Sequence, residues 1–175
     1  MDLYQTLIEY VPRWSPLEYG FLVPLLVVAG VAAYGLWRTE KIVLSQAVSG
    51  MALLVWLLFV VGITVLTRKS GGSAEWNIRL FWSWKIALAG DWKMLMEVLL
   101  NLVLLLPVGV LLPMMLRRPV RWWQGLLVGM ALSLAIELGQ LVTRRGLFEL
   151  DDLLHNSVGC MMGCVIVSKV IGKES

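Results

Sequence analysis

Five stretches of nearly unbroken apolar residues dominate the chain, near 20–37, 47–66, 96–116, 123–142 and 153–171. Each approaches the roughly 20 residues that an α-helix needs to cross the hydrocarbon core of a bilayer. None alternates apolar and polar positions at period two, as transmembrane strands do. The pattern predicts an all-α fold, a polytopic helical membrane bundle of about five transmembrane helices. At 175 residues the chain is too short for a second globular domain.

Between the second and third runs lies a long connection, 67–95. It opens as a flexible Gly/Ser hinge, "SGGSAEW", and continues as an amphipathic, Trp-rich and cationic stretch, "NIRLFWSWKIALAGDWK". Two readings suit it: a helix lying in the membrane interface, or a segment folding back over a site on the bundle.

Composition strengthens the membrane reading. Hydrophobic residues make up 59% and charged residues 15% of the chain, with a mean hydropathy of +0.79. A soluble domain is about a quarter charged. Of the nine tryptophans, Trp37, Trp76, Trp92, Trp122 and Trp123 stand at the ends of apolar runs, where indole rings favour the membrane-water boundary. The net charge of +3 is spread between the runs and forms no dense basic patch, which argues against a nucleic-acid partner. A single histidine and the absence of metal-ligand spacing, a Walker loop or a GxSxG motif imply no metal and no cofactor. Cys160 and Cys164, one helical turn apart within an apolar run, read as small packing residues. The start of the chain lacks the basic region and cleavage site of a signal peptide, so no processing is expected.

Arg38 and Lys41, then Arg117, Arg118 and Arg121, then Lys169 and Lys173 fall on one side of a five-helix bundle. Arg13, Arg144, Arg145 and the five basic residues of the long connection fall on the other. Long connections carry less weight than short loops in setting orientation, and 117–121 is the compact basic cluster. The N-terminus is therefore expected outside and the C-terminus in the cytoplasm.

Polar residues inside membrane runs are costly unless they pair, face the bundle interior or touch water. Ser133, Glu137, Gln140 and Arg144 are spaced 4, 3 and 4 and form one helical stripe. Asp152, Asn156, Gly159 and Gly163 repeat that spacing on the last helix, with Asp151 and His155 one step around it. Glu97 and Asn101 add a third pair, and with alternating helix directions all three sets fall in the outer half of the bilayer. At 1.5 Å per residue, Glu137 lies roughly 8–10 Å below the loop near residue 143. A carboxylate at that depth calls for a cation, a proton or water.

The neighbouring features have simpler readings. Asp151 is expected to cap its own helix, and Glu149 to be a solvated loop residue. Arg144 and Arg145 are either boundary charges or partners of Glu137 or Asp152. His155 is either a packed interface residue or a proton carrier. Pro107 is expected to kink the third membrane helix, and the G-x-x-x-G pair Gly159 and Gly163 to let a neighbouring helix approach closely.

Together, "NLVLLLPVGVLLP" and "SLAIELGQLVTRRGLFELDDLLHNSVGCMMG" resemble the VanZ-like membrane proteins, whose pattern runs N-x5-P-x-G, I-E-x-x-Q, arginine, an acidic turn and N-x-x-G. The matching positions are Asn101, Pro107, Gly109, Glu137, Gln140, Arg144 or Arg145, Asp152, Asn156 and Gly159. "NIRLFWSW" weakly resembles the family's N-L-x-P-F segment through Asn77 and Phe81, without its proline. Glu149 stands where an aspartate is usual, and residues 1–46 add a helix beyond the usual four. The resemblance thus divides the chain into an N-terminal segment, 1–46, and a VanZ-like membrane domain, 47–171. It implies a place in the bacterial cytoplasmic membrane and a link to reduced susceptibility to teicoplanin-type glycopeptide and lipoglycopeptide antibiotics.

Three functions follow as expectations. In the first, an outer-leaflet site binds or modifies an amphiphile of the cell envelope: a lipid head group, an undecaprenyl-linked precursor or a lipoglycopeptide. Arg144 or Arg145 would hold an anionic group, Glu137 and Asp152 would exchange a proton as the candidate catalytic pair, and Asn101, Gln140 and Asn156 would orient the ligand. Ser133 or a carboxylate-held water is the conceivable nucleophile. In the second, the polar cluster is structural and the protein is a non-catalytic factor that recruits an envelope enzyme or shields a lipid-linked precursor. The third, proton-coupled transport, has suitable residue types but lacks the internal repeat common in transporters.

Overall fold

The structure, a computed structural model, describes residues 16–66 and 75–172. Arg13, Lys173 and residues 67–74, with the glycines and serines of the hinge, lie outside the described residues. The helices are α1 (Pro16–Arg38), α2 (Leu44–Val61, continued by a π-helical turn, Gly62–Leu66), α3 (Trp82–Leu88), α4 (Trp92–Leu104), α5 (Leu106–Leu116), α6 (Trp122–Thr143) and α7 (Leu150–Ile171). Two short strands, β1 (Trp76–Asn77) and β2 (Phe148–Glu149), complete the architecture. Among the described residues, five helical stretches are long and apolar enough to cross a membrane, with α4 and α5 together forming one of them.

Helix α7 stands at the centre, packed against α6, α5 and α4, while α2 lies against α5 and α1 packs on α2. None of the α1 span is buried, so its apolar side chains are left for lipid. Lipid is as apolar as leucine, and close backbone packing therefore has to bring the helices together. Glycines provide it. A Cβ at Gly159 would run into the Leu102 carbonyl, one at Gly163 into the Leu106 carbonyl, and one at Gly109 into the Cys160 carbonyl. On the other flank, Gly125 and Gly129 of α6 receive the Cys164 and Cys160 side chains, where an added Cβ would stand 2.9 and 2.8 Å from them. The G-x-x-x-G pair and the two cysteines thus have the packing roles their spacing suggests.

Pro107 breaks the third span as expected. It has no N–H to offer the Val103 carbonyl, which takes the N–H of Leu105 instead. The neighbouring Leu104 carbonyl accepts Trp56 Nε1 from α2 at 2.9 Å. The break is therefore stitched to a second helix and introduces no orphaned carbonyl at Leu104. Asp91 starts α4 by accepting the N–H groups of Lys93 and Met94 at 2.9 and 3.1 Å.

The connections gather at two ends. At one, β1 pairs in parallel with β2, Trp76 opposite Phe148 and Asn77 opposite Glu149, and Phe148 N–H reaches the Glu75 carbonyl at 3.0 Å. At the other, Gln46 Nε2 donates to the Met115 carbonyl at 3.1 Å and Val120 N–H to Ser168 Oγ at 2.8 Å. Residues 75–91 cover the first end, which holds the polar stripes.

Candidate functional site

The covering segment is tied down by α7. Phe81 adopts a left-handed conformation (φ 60°) and opens α3 without a side-chain cap of its own. Asp151 supplies the missing acceptor: its carboxylate receives Phe81 N–H at 2.6 Å, Ser83 N–H at 3.0 Å and Ser83 Oγ–H at 2.6 Å. This corrects the expectation that Asp151 caps its own helix. It lies in the first turn of α7, where the helix dipole favours an anion, but its oxygens face the N-terminus of α3. One turn deeper, Trp84 Nε1 donates to His155 Nε2 at 2.8 Å, with the rings edge to face at 5.9 Å. With Nε2 accepting, a neutral imidazole carries its proton on Nδ1, which is buried without a partner. Of the two readings of the connection, it is the fold-back over the bundle that the packing shows.

Beneath this cover the three stripes meet. Glu137 of α6 is 2% exposed and accepts the N–H of Glu149 at 2.9 Å. Glu149 is the N-cap residue of α7, so the deep carboxylate sits at the positive end of that helix. Glu149 is half-buried there and not the solvated loop residue expected. Asn101 Nδ2 donates to Asp152 Oδ1 at 2.5 Å, joining α4 to α7. Asn156 Nδ2 donates to Ser133 Oγ at 2.9 Å, joining α7 to α6, while Asn156 Oδ1 is buried without a partner.

Two further residues close the end of α2. Gln140 Nε2 donates to the Thr64 carbonyl at 3.2 Å, and Arg145 Nη1 to the Leu66 and Val65 carbonyls at 2.7 and 3.4 Å. These carbonyls belong to the last described turn of α2, and a cation suits the C-terminal end of a helix dipole. Arg144, by contrast, is exposed, holding a left-handed position (φ 53°) that ends α6. Glu97 is exposed as well and does not join the cluster; the packing position one turn before Asn101 is Val98. The structure therefore brings Asn101, Glu137, Gln140, Arg145, Asp152 and Asn156 to the covered end and leaves Glu97 and Arg144 outside. Ser83 and Trp84, which the sequence placed in the long connection without a role in the site, are direct partners of α7. Among the described residues, no three or more His, Cys, Asp or Glu side chains are grouped to hold a metal ion.

The cover itself, with Leu147, forms a groove of about 410 Å³, lined by Glu75, Trp76, Asn77, Arg79, Trp82 and Leu147. Trp76 packs on Phe148 across the β1–β2 pair, with ring centroids 5.7 Å apart. Trp82 Nε1 is buried without an acceptor.

A family model described as VanZ/LLP1 matches residues 47–171, and among the described residues α1 and the start of α2 precede the match. No curated protein and no solved structure matches the chain.

Proposed function

The chain belongs to the VanZ/LLP1 family, and from that membership we propose that it is a bacterial envelope protein whose covered end binds an amphiphile and so lowers susceptibility to teicoplanin-type glycopeptides. The amphiphile is a lipid head group, a lipid-linked precursor or a lipoglycopeptide. The covered end faces outside, the C-terminus the cytoplasm. In this reading Glu137, Asp152, Asn101, Gln140, Asn156 and Arg145 shape the binding end and do no chemistry on the ligand.

One observation carries the preference for binding: each of these side chains is hydrogen-bonded to another helix, a helix terminus or a loop backbone. Such cross-links cost little when satisfied and position the surface above them. The test is expression in a susceptible, glycopeptide-sensitive host, with teicoplanin inhibition measured beside membrane protein level. The inhibitory concentration should rise with the wild-type chain and return to baseline with Asp151→Ala at comparable protein level. No change with the wild-type chain would remove the resistance reading. Reporter fusions at the C-terminus test the orientation.

A second reading, in which Glu137 and Asp152 exchange a proton with the ligand, is favoured by one feature. His155 Nδ1 and Asn156 Oδ1, consecutive on α7 beneath the cover, are buried polar atoms without partners.

A further inference from the structure

The end of the bundle opposite the cover carries a cationic loop that the covered site does not use. Between α5 and α6, Arg117, Arg118 and Arg121 are all exposed. Lys169, exposed as well, follows Ser168, the α7 residue on which this loop rests. We propose that the loop is a docking site for an anionic phospholipid, with the lipid phosphate held by Arg118 and Arg121 and the acyl chains lying along α5 and α6. The assignment is independent of the reading of the covered end.

The loop is fixed before any lipid arrives. Val120, 4% exposed, donates its N–H to Ser168 Oγ at 2.8 Å, and Ser168 Oγ–H returns a bond to the Val120 carbonyl at 3.1 Å. Pro119 stands 3.6 Å from where a Cβ of Gly172 would lie. Gln46 of α2 holds the Met115 carbonyl just before the loop, and Gln124 Oε1 accepts the N–H of Arg121 just after it. A held backbone lowers the ordering cost of binding, which a loose charged rim does not.

The sign of the site follows from the charges themselves. Arg117 ends α5 in a left-handed conformation (φ 50°), where a cation suits the negative end of the helix dipole. Arg118 and Arg121 have no such account. Arg121 is the N-cap residue of α6, and that helix has no acidic residue in its first turn to offset the cation. In the sequence, each connection at this end, 38–43, 117–121 and 169–175, has more cations than carboxylates. An anion relieves this repulsion, and arginine's planar fork matches phosphate oxygens.

The neighbours of the loop point to a lipid. Trp122 and Trp123, 60% and 41% exposed, directly follow Arg121, and such indoles favour the membrane-water boundary. The arginines therefore stand at the depth of lipid phosphates. Leu116 of α5 and Leu127 of α6 expose apolar side chains on the helices that flank the loop. A phospholipid matches both features at once.

The test is native mass spectrometry of the purified full chain in detergent, titrated with phosphatidylglycerol and, in parallel, with phosphatidylcholine. Phosphatidylglycerol should bind saturably and roughly tenfold tighter. Arg118→Gln and Arg121→Gln should each weaken it roughly fivefold, with thermal unfolding unchanged. Arg144→Gln, an exposed cation at the other end, should behave as wild type. Ser168→Ala changes no charge but frees the loop, so it should weaken phosphatidylglycerol at least roughly twofold, while Ser168→Thr keeps the hydroxyl and the affinity. Equal binding of the two lipids, or equal losses in the Arg118 and Arg144 variants, would overturn the assignment. Wild-type affinity in Ser168→Ala would reduce the loop to a diffuse charged rim and overturn it too. Displacement of the lipid by millimolar inorganic phosphate would make the ligand a free anion, and displacement by a polyglutamate peptide would make it an acidic protein segment; either result removes the lipid.

Discussion

Asp151 and Ser83 are joined twice: one carboxylate oxygen of Asp151 accepts both the backbone N–H of Ser83, at 3.0 Å, and its hydroxyl, at 2.6 Å. The two residues belong to different elements, α7 and α3. A short helix that presents no capping side chain of its own is thus capped by the central membrane helix. The cover over the polar cluster depends on that contact.

Asp151→Ala should release the cover. Loss of a buried carboxylate that accepts three hydrogen bonds leaves their donors unpaired, at a cost of about 1–3 kcal/mol each when they remain buried. Limited proteolysis should cut faster within 75–91, while the helices retain their circular dichroism. Ser83→Ala should have a smaller effect, and the double variant should show non-additivity. Independent, additive effects would mean that the contact does not hold the cover.

Gly159→Ala should be far more damaging than Gly30→Ala. The first places a methyl group against the Leu102 carbonyl, whereas nothing lies within 4 Å of a Cβ at Gly30. Overpacking of this kind costs roughly 1–3 kcal/mol, and helix propensity favours alanine at both sites. Thermal unfolding in detergent should therefore fall for Gly159→Ala and stay level or rise for Gly30→Ala. A reversed order would contradict the packing of α7 on the α4–α5 break.

Glu137 offers the cleanest choice between binding and chemistry. Glu137→Gln keeps an oxygen for the Glu149 N–H but removes the charge, so a loss of about 1 kcal/mol is expected. Glu137→Leu leaves that N–H without its partner and should lower stability further. If the residue serves architecture, the glutamine variant retains its effect on teicoplanin inhibition. Abolished effect at full protein level would instead support proton exchange.

The two neighbouring arginines should separate. Arg145→Gln withdraws a cation from the Leu66 carbonyl at the end of α2 and should cost about 1–2 kcal/mol in unfolding. Arg144→Gln changes an exposed side chain, and its unfolding should shift by less than about 0.5 kcal/mol.

The buried face of a helix was legible in the chain, but partners were not. Ser133, Glu137 and Gln140 do share a buried face of α6, because helical periodicity alone sets that relation. Glu97 shows the limit: four residues before Asn101, it shares much the same direction but lies where α4 no longer offers a polar packing position. Among the partners of the Glu137 carboxylate is a backbone N–H at a helix start, a donor that residue types do not reveal.

The sequence by itself determined the five spans, the break at Pro107 and the close packing at Gly159 and Gly163. A bilayer demands continuous apolar runs, proline cannot complete a helix, and small residues alone admit a second backbone. Only the tertiary structure decided that Asp151 caps α3, that Trp84 rests on His155, that Asn101 meets Asp152, and that Glu75 and Arg79 share one groove. Hydrogen bonds act over about 3 Å and are directional. Which donor lies within that reach depends on how α4, α6 and α7 rotate against one another and where the connecting segment lands.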